Sequence, residues 1–375
     1  VVGFDAAILM NPKVWEASGH LEAFADPLVE CKTCHERFRA DHEDEVTQHE
    51  AAHREREETC SWTEPRQFNL MVEARLGVIE GEKTTVYLRG EITQGVHVNF
   101  RNVLGATHRK VPFGVAQIGK AFRNEITPGN FTFRSKEFEQ MELQYYVLCG
   151  DPDNAFGRWK EERKSWYVGL GLRQEKLRFR DHEEGELAHY AKGACDIEYE
   201  SPFGWKEMEG IHNRGDWDLK RHQEFSGTEL SYIGDAGEKI LPWIIETSGG
   251  VDRAALFFLV DAYREDEDRV VLRLHPRLAP YKVAVFPLLA NKPFLVEKAR
   301  AVCNELRRNF MTAWDDRGNI GKRYYAQDEI GTPWCVTVDF DTLEDDTVTV
   351  RNRDSMQQER VAVSGLTQYF TEKLA

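Results

Sequence analysis

No stretch of this 375-residue sequence stays apolar for anything near the roughly 20 residues a membrane-spanning helix requires, and no signal peptide is read at its start. A soluble chain with no membrane partner is therefore expected. Cysteine is sparse. Seven residues, an odd number scattered along a long chain, make no disulfide framework and fit a reducing compartment, so a cytoplasmic location is expected. Positive charge is also short, with 49 Lys and Arg against 64 Asp and Glu and a net charge of −15. That balance excludes general, non-specific affinity for nucleic acid, but a local basic surface can still hold an RNA. What is present, 41% hydrophobic residues, suffices for a large core and two domains.

The informative stretch runs from Val115 to Val147. Apolar and polar residues alternate on both sides of Thr127-Pro128-Gly129-Asn130, so it reads as two strands joined by a turn. With a period of two, Arg123 and Glu125 share a face of the first strand, and Phe138, Gln140, Glu142 and Gln144 share a face of the second. So polar a face, in a chain with a core to bury, suits the lining of a cleft. An Arg fork matches phosphate, Glu125 can read an amine edge, Arg134 adds a second cation and Phe138 a stacking surface. These are the parts of an ATP cradle.

Phe122-Arg123-x-Glu125 followed by Arg134-x-x-x-Phe138 resembles motif 2 of the class II aminoacyl-tRNA synthetases, and the flanking residues resemble the glycyl-tRNA synthetases. Residues 20–29 read as a strand broken at Pro27, and the runs WEASGH and DPLVECKTC around it resemble motif 1 of that family, an element that forms its dimer interface. Arg89-Gly90-Glu91-x-x-Gln94-Gly95 places Glu91 at a cleft mouth, where the family's Glu holds the substrate ammonium. The alternating run 194–211 reads as a second hairpin, with Glu207 and Glu209 pointing the same way as a carboxylate pair suited to Mg²⁺. By resemblance Glu207 is the metal ligand, and Arg214 faces the ATP or the glycine. The strand 241–250 passes through Gly249-Gly250 into an apolar helix with Arg253 in its first turn, which resembles motif 3. Glu246 and Ser248 share a face of that strand and, by resemblance, reach the glycine.

The resemblance covers nearly the whole chain apart from about residues 41 to 60. It implies an α+β fold, with an antiparallel sheet flanked by helices in residues 1–268 and an α/β anticodon-binding domain in 269–375. Within the second, 283–288, 334–340 and 345–351 read as strands and 293–310 as a helix, after an acidic spacer at 264–269. The implied activity is glycine–tRNA ligation, with ATP, Mg²⁺, glycine and tRNA(Gly) as partners, in a homodimer. Catalytic weight falls on Arg123 and Arg253, ATP contacts on Arg123, Glu125, Arg134, Phe138, Glu207 and Arg253, and glycine contacts on Glu91, Glu142, Glu246, Ser248 and Arg214. Two other readings stay open: a class IIa synthetase for another amino acid, and a non-catalytic paralogue that binds nucleic acid. Lys and Arg interleaved with aromatics between Arg158 and Arg180 suit either an RNA contact or a solvated helix face.

Two further patterns concern metal. Cys31-x-x-Cys34 and Cys60 could chelate zinc with His35 or His42, but no second Cys-x-x-Cys follows, and idle thiols are the expectation. His49-Glu50-Ala51-Ala52-His53 fits the spacing of zinc proteases. Its surroundings are charged all round, so a solvated helical insertion at 41–62 is expected and zinc is not.

Overall fold

The computed structural model describes every residue except Glu80, Asp151, His189, Glu267, Asp268 and Ala375. The chain forms two compact units, one of Val1–Lys164 with Leu177–Leu256, the other of Ser165–Lys176 with Phe257–Ala375.

The first unit is built on a seven-stranded sheet. In chain order its strands are β1 (Val2–Gly3), β2 (Phe113–Phe122), β3 (Glu137–Val147), β4 (Leu177–Asp181), β5 (Gly193–Ser201), β6 (Gly204–Gly215) and β7 (Trp243–Gly250), arranged β1-β2-β3-β7-β6-β5-β4. Every pairing is antiparallel except β1 with β2. A buried cluster of Val96, Phe100, Val103, Phe113, Val115, Tyr146, Leu219 and Ile244 packs helices against this sheet. Register then sets the rows of side chains. Glu142 lies opposite Gln117 on one side and Ser248 on the other, and Ser248 lies opposite Gly210. Glu246 lies between Gln144 and His212.

Four expectations change here. The first arm of the hairpin ends at Phe122, so Arg123 and Glu125 lie beyond the ladder, in the connecting loop. Pro27 does not break its strand: Ala25–Glu30 is continuous, because one neighbour pairs along Ala25–Leu28 and the other along Leu28–Glu30. The proline therefore sits where the second neighbour's ladder has not yet begun. Glu207 and Glu209 do not point the same way. A register shift at Ile197/Glu198 leaves Met208 as the extra residue of a β-bulge, which reverses the alternation. Glu209 is buried on a pair of bonds from Arg163, at 2.6 and 2.9 Å.

Lastly, the helix Glu43–Glu55 is not simply solvated. His53 is 3% exposed, and the His49 ring lies 4.8 Å from Phe38 and 5.4 Å from Trp62. Glu50 accepts a 2.9 Å hydrogen bond from the Trp62 indole, so it is not aimed at a water between the two histidines. The missing apolar stripe is made of imidazole instead. His35 and His42 turn elsewhere, to Glu30 at 3.1 Å and Glu45 at 3.0 Å.

In the second unit a five-stranded sheet holds Val283–Pro287, Thr312–Trp314, Trp334–Val338, Thr347–Asn352 and Gln358–Ala362, the first three parallel and the last two joined antiparallel. Its core joins Val283, Val285, Leu295, Val302, Val336, Val348 and Phe370, with the helix Pro293–Leu306 on one face. This is an α/β unit. The expected spacer is structured: Tyr263–Asp266 pairs antiparallel with Arg269–Leu272, while its Glu267 and Asp268 lie outside the described residues.

Candidate active site

Ten of the eleven residues singled out from the sequence line one cleft with a cavity volume of about 180 Å³: Arg123, Arg253, Glu125, Arg134, Phe138, Glu207, Glu91, Glu142, Glu246 and Ser248. The eleventh, Arg214, does not line it. It lies behind Glu246, 1% exposed.

One end of the cleft is a buried carboxylate cluster. Glu142 and Glu246 come side by side because β3 and β7 are neighbours in the sheet. Thr93, at the start of the helix Thr93–Val98, bridges them, its single hydroxyl lying 2.6 Å from Glu142 and 3.0 Å from Glu246, so that it can accept from the protonated Glu142 and donate to Glu246. Ser248 donates to Glu142 at 2.8 Å, and the Gln144 amide donates to Glu246 at 2.8 Å. Glu91 accepts from Gln94 at 2.9 Å and lies 3.5 Å from His20.

Their protonation states separate for stated causes. Burial, then the charges of Glu246 and Glu91, push the Glu142 carboxyl up to about 8. Burial also pushes Glu246 up, but Arg214 and His212 outweigh it and hold that carboxyl well below its usual range. Against the same burial, His20 brings Glu91 down to about 2. At neutral pH the cluster thus holds two ionised carboxylates and one protonated neighbour. Arg214 is the counter-ion, 3.1 Å from Glu246 and 2.7 Å from Asp218, with its guanidinium stacked 3.8 Å over the Tyr190 ring.

The other end is cationic. The Arg123 guanidinium lies between the rings of Phe24 and Phe138, 5.1 and 5.3 Å from their centroids, and donates to the Gly90 carbonyl at 3.0 Å. Arg253 sits in the first turn of the helix Val251–Ala262, 4.4 Å over Phe133, and donates to the carbonyls of Phe133 and Glu207 at 3.1 and 3.3 Å. The Glu207 carboxylate is 3.4 Å from it and half-exposed into the cleft. Arg134 closes the loop tip through two backbone bonds with Gly129, its side chain 4.0 Å from Glu125. An anionic pocket for a small cation therefore adjoins a cationic strip for phosphate.

His212 and Tyr190 also line the cleft, and Thr93, Gln144, Asp218 and His20 complete the carboxylate network. Sequence reading missed their roles. His212 faces inward because of the bulge, and Gly210 makes room for it: a Cβ there would sit 2.7 Å from the imidazole. Thr93 carries a signal that could have been used, since it falls two residues after Glu91 at a helix start.

Comparison with known proteins agrees with this chemistry. A family described as "Anticodon binding domain" matches residues 282–373. A protein of Alkaliphilus oremlandii named glycine–tRNA ligase is 51% identical over 401 aligned positions, covering 100% of this chain and 86% of the relative. Proteins of the same name from Treponema denticola, at 50% identity over 96% of this chain and 82% of theirs, and Thermobifida fusca, at 47% over 100% and 86%, are similarly close.

The Glu142 carboxyl, at about 8 in the folded chain against 4.5 as the reference value, binds a proton more tightly when folded. Its contribution to stability is full at low pH and is lost as pH rises through about 8. Thermal melts across that range should show wild type losing ground to Glu142→Gln. Parallel pH profiles would refute a protonated Glu142.

Proposed function

Because this chain belongs to the glycine–tRNA ligase family, we propose that its cleft makes glycyl-adenylate, with the carboxylate cluster receiving the glycine ammonium and the arginine strip receiving ATP. The protein is an aminoacyl-tRNA ligase. The observation that supports them is the adjacency of the two ends of one cleft, acidic at Glu91, Glu142 and Glu246 and basic at Arg123, Arg134 and Arg253.

In the first step an oxygen of the glycine carboxylate attacks the α-phosphorus of ATP; the new O–P bond forms as the bond to the β-phosphate oxygen breaks, and pyrophosphate leaves. In the second, the terminal hydroxyl of the tRNA attacks the glycyl carbonyl carbon and AMP leaves. Neither step needs a nucleophilic side chain. Arg123 and Arg253 stabilise charge on the transferring phosphoryl group, and their fixed contacts to carbonyls and rings mean little reorganisation is needed. Phe138 offers its ring to the adenine, Glu125 an acceptor for the adenine amine, and Arg134 charge for the outer phosphates. Mg²⁺, when bound with the triphosphate, neutralises phosphate charge. Glu207 fits as a ligand because it is a hard oxygen donor exposed into the cleft, with phosphate and water able to complete the shell. Arg214 positions Glu246 and keeps it ionised rather than touching glycine.

Selecting an amino acid without a side chain requires gripping the ammonium and leaving no room past it. Glu246 and Glu91 supply charge, and the Ser248 hydroxyl occupies the space a β-carbon would enter. We assign residues 1–268 to catalysis and 269–375 to anticodon binding, in a homodimer of the cytoplasm.

Arg123→Ala and Arg253→Ala should each slow adenylate formation about a hundredfold, the scale for loss of a preorganised charge contact. Pyrophosphate exchange checks this, and wild-type rates in either variant would remove the arginine from the mechanism. The incoming ammonium favours the ionised form of Glu142, so Glu142→Gln, like Glu246→Gln, should raise KM for glycine far more than KM for ATP, and Ser248→Gly should activate alanine measurably. If the Gln variants lose ATP and keep glycine, the two ends of the cleft have been assigned backwards. Sedimentation at micromolar concentration should show a dimer, since an isologous pairing of the motif 1 segment is expected; a fully active monomer would contradict it.

A further inference from the structure

One cluster away from the cleft brings together ligands of another kind. A ligand atom from each of Cys31, His49, His53 and Cys60 lies within 4.8 Å of all the others, from residues spread over thirty positions of sequence. The Cys31 sulfur is 3.5 Å from the Cys60 sulfur and 4.0 Å from His53 Nε2. A tetrahedral zinc ion with bonds of about 2.0–2.3 Å sets its ligands roughly 3.3–3.8 Å apart, so no pair in the cluster needs to close by more than about 1.5 Å.

We propose that Cys31, His49, His53 and Cys60 form a structural zinc site that ties the helix Glu43–Glu55 to the sheet strand Ala25–Glu30. Three independent features support a metal over idle thiols. The two sulfurs face each other without a bond, since 3.5 Å is far beyond the roughly 2.05 Å of a disulfide. Both histidines have a carboxylate within ion-pair distance of Nδ1, Glu36 at 3.3 Å from His49 and Glu58 at 2.9 Å from His53, which leaves Nε2 as the atom toward the sulfurs and places a second-layer acid beside each ring. The site is also sheltered: Cys31 is fully buried, His53 is 3% exposed, and Phe38 and Trp62 pack against His49. Thiolate and imidazole together select zinc over the hard cation of the cleft.

Cys34 is outside the set. Its sulfur is 3.4 Å from His49 Nε2 but does not lie within 4.8 Å of every one of the other ligand atoms, and it is exposed. None of the four proposed ligands lines the cleft, and no position is left open for a reacting water, because a site with four protein ligands is closed. The role is therefore structural, and glycine activation does not pass through it.

The test is metal content of the whole protein, purified without chelator after growth with zinc and measured by plasma mass spectrometry. About one zinc per chain is expected. Cys31→Ser and His53→Ala should fall to background, while Cys34→Ser should keep its metal. Should the first two fold poorly, wild type alone decides: cobalt exchanged into it should give the absorption of a tetrahedral thiolate complex, and a chelator should lower its melting temperature while leaving that of metal-free variants unchanged. Wild type that neither holds zinc nor takes up cobalt overturns the site, as does a Cys31–Cys60 disulfide in the native protein, or zinc retained by Cys31→Ser/Cys60→Ser.

Discussion

The site depends on one buried guanidinium. Arg214 lies beneath the carboxylate cluster with Asp218 and Glu246 on either side, buried from the surface. Desolvating several carboxylates next to one another is expensive, and a single well-bonded Arg offsets that cost for only part of the group. The consequence is unequal charge. Glu246, next to the guanidinium, stays ionised; Glu142, one row further along the sheet, is left with burial and like charge and keeps its proton. Thr93 and Ser248 supply hydroxyls that follow either state of Glu142, since each can donate to it when ionised and rotate when it is not. A ligand bearing an ammonium would supply the missing positive charge.

The same logic explains why a small cation and a polyanion can share one cleft. The acidic end is buried in the sheet, and along β3 Gln140 lies between Glu142 and Phe138 on the cleft face, so a neutral side chain separates the two ends. The arginines of the basic end contact neutral carbonyls and aromatic faces more than carboxylates: Arg123 has Gly90, Phe24 and Phe138. Arg134 has Glu125 at 4.0 Å, and Arg253 has a closer acid, Glu207 at 3.4 Å, which is exposed enough to turn toward a metal instead. Contacts of that kind orient a guanidinium without neutralising it.

Much of this was legible in the sequence, and the reasons are particular. Glu142, Glu246 and Ser248 were readable because strand alternation is rigid wherever the ladder is regular, and β3 and β7 are regular throughout. Arg253 was readable because Gly-Gly followed by an apolar run marks a strand passing into a helix. Alternation failed at Met208, where a one-residue bulge moves Glu209 to the far face and brings His212 to the cleft, and no residue type announces a bulge there. Arg214 was placed near the right partners but on the wrong side of them, since sequence distinguishes a buried Arg from a cleft Arg only through neighbours such as Asp218, one helical turn on. His49 and His53 were set aside because they lack apolar company. That criterion applies to helices held by hydrophobic contact and is silent about helices held by imidazole and thiolate.

The two ends of the cleft are also held by different means. The carboxylates project from adjacent strands, so their separation is fixed by the ladder and cannot change unless β3–β7 pairing breaks. Beyond its mouth, where Arg123 N bonds the Lys136 carbonyl at 3.0 Å, the loop between β2 and β3 has only the single Gly129–Arg134 bridge. It is held from outside instead: Asn124 N bonds the Leu70 carbonyl at 2.8 Å, Thr127 reaches the Arg37 carbonyl at 3.2 Å, and Thr132 the Asp252 carbonyl at 3.5 Å. Arg37 belongs to the small sheet that also carries Cys31, through the strand Ala25–Glu30. Anything that stiffens that sheet therefore stiffens one anchor of the loop that carries Arg134. A rigid acidic floor with an externally braced cationic rim lets the smaller substrate be measured by fixed geometry, while the larger, charged one is met by side chains that each rest on one or two bonds.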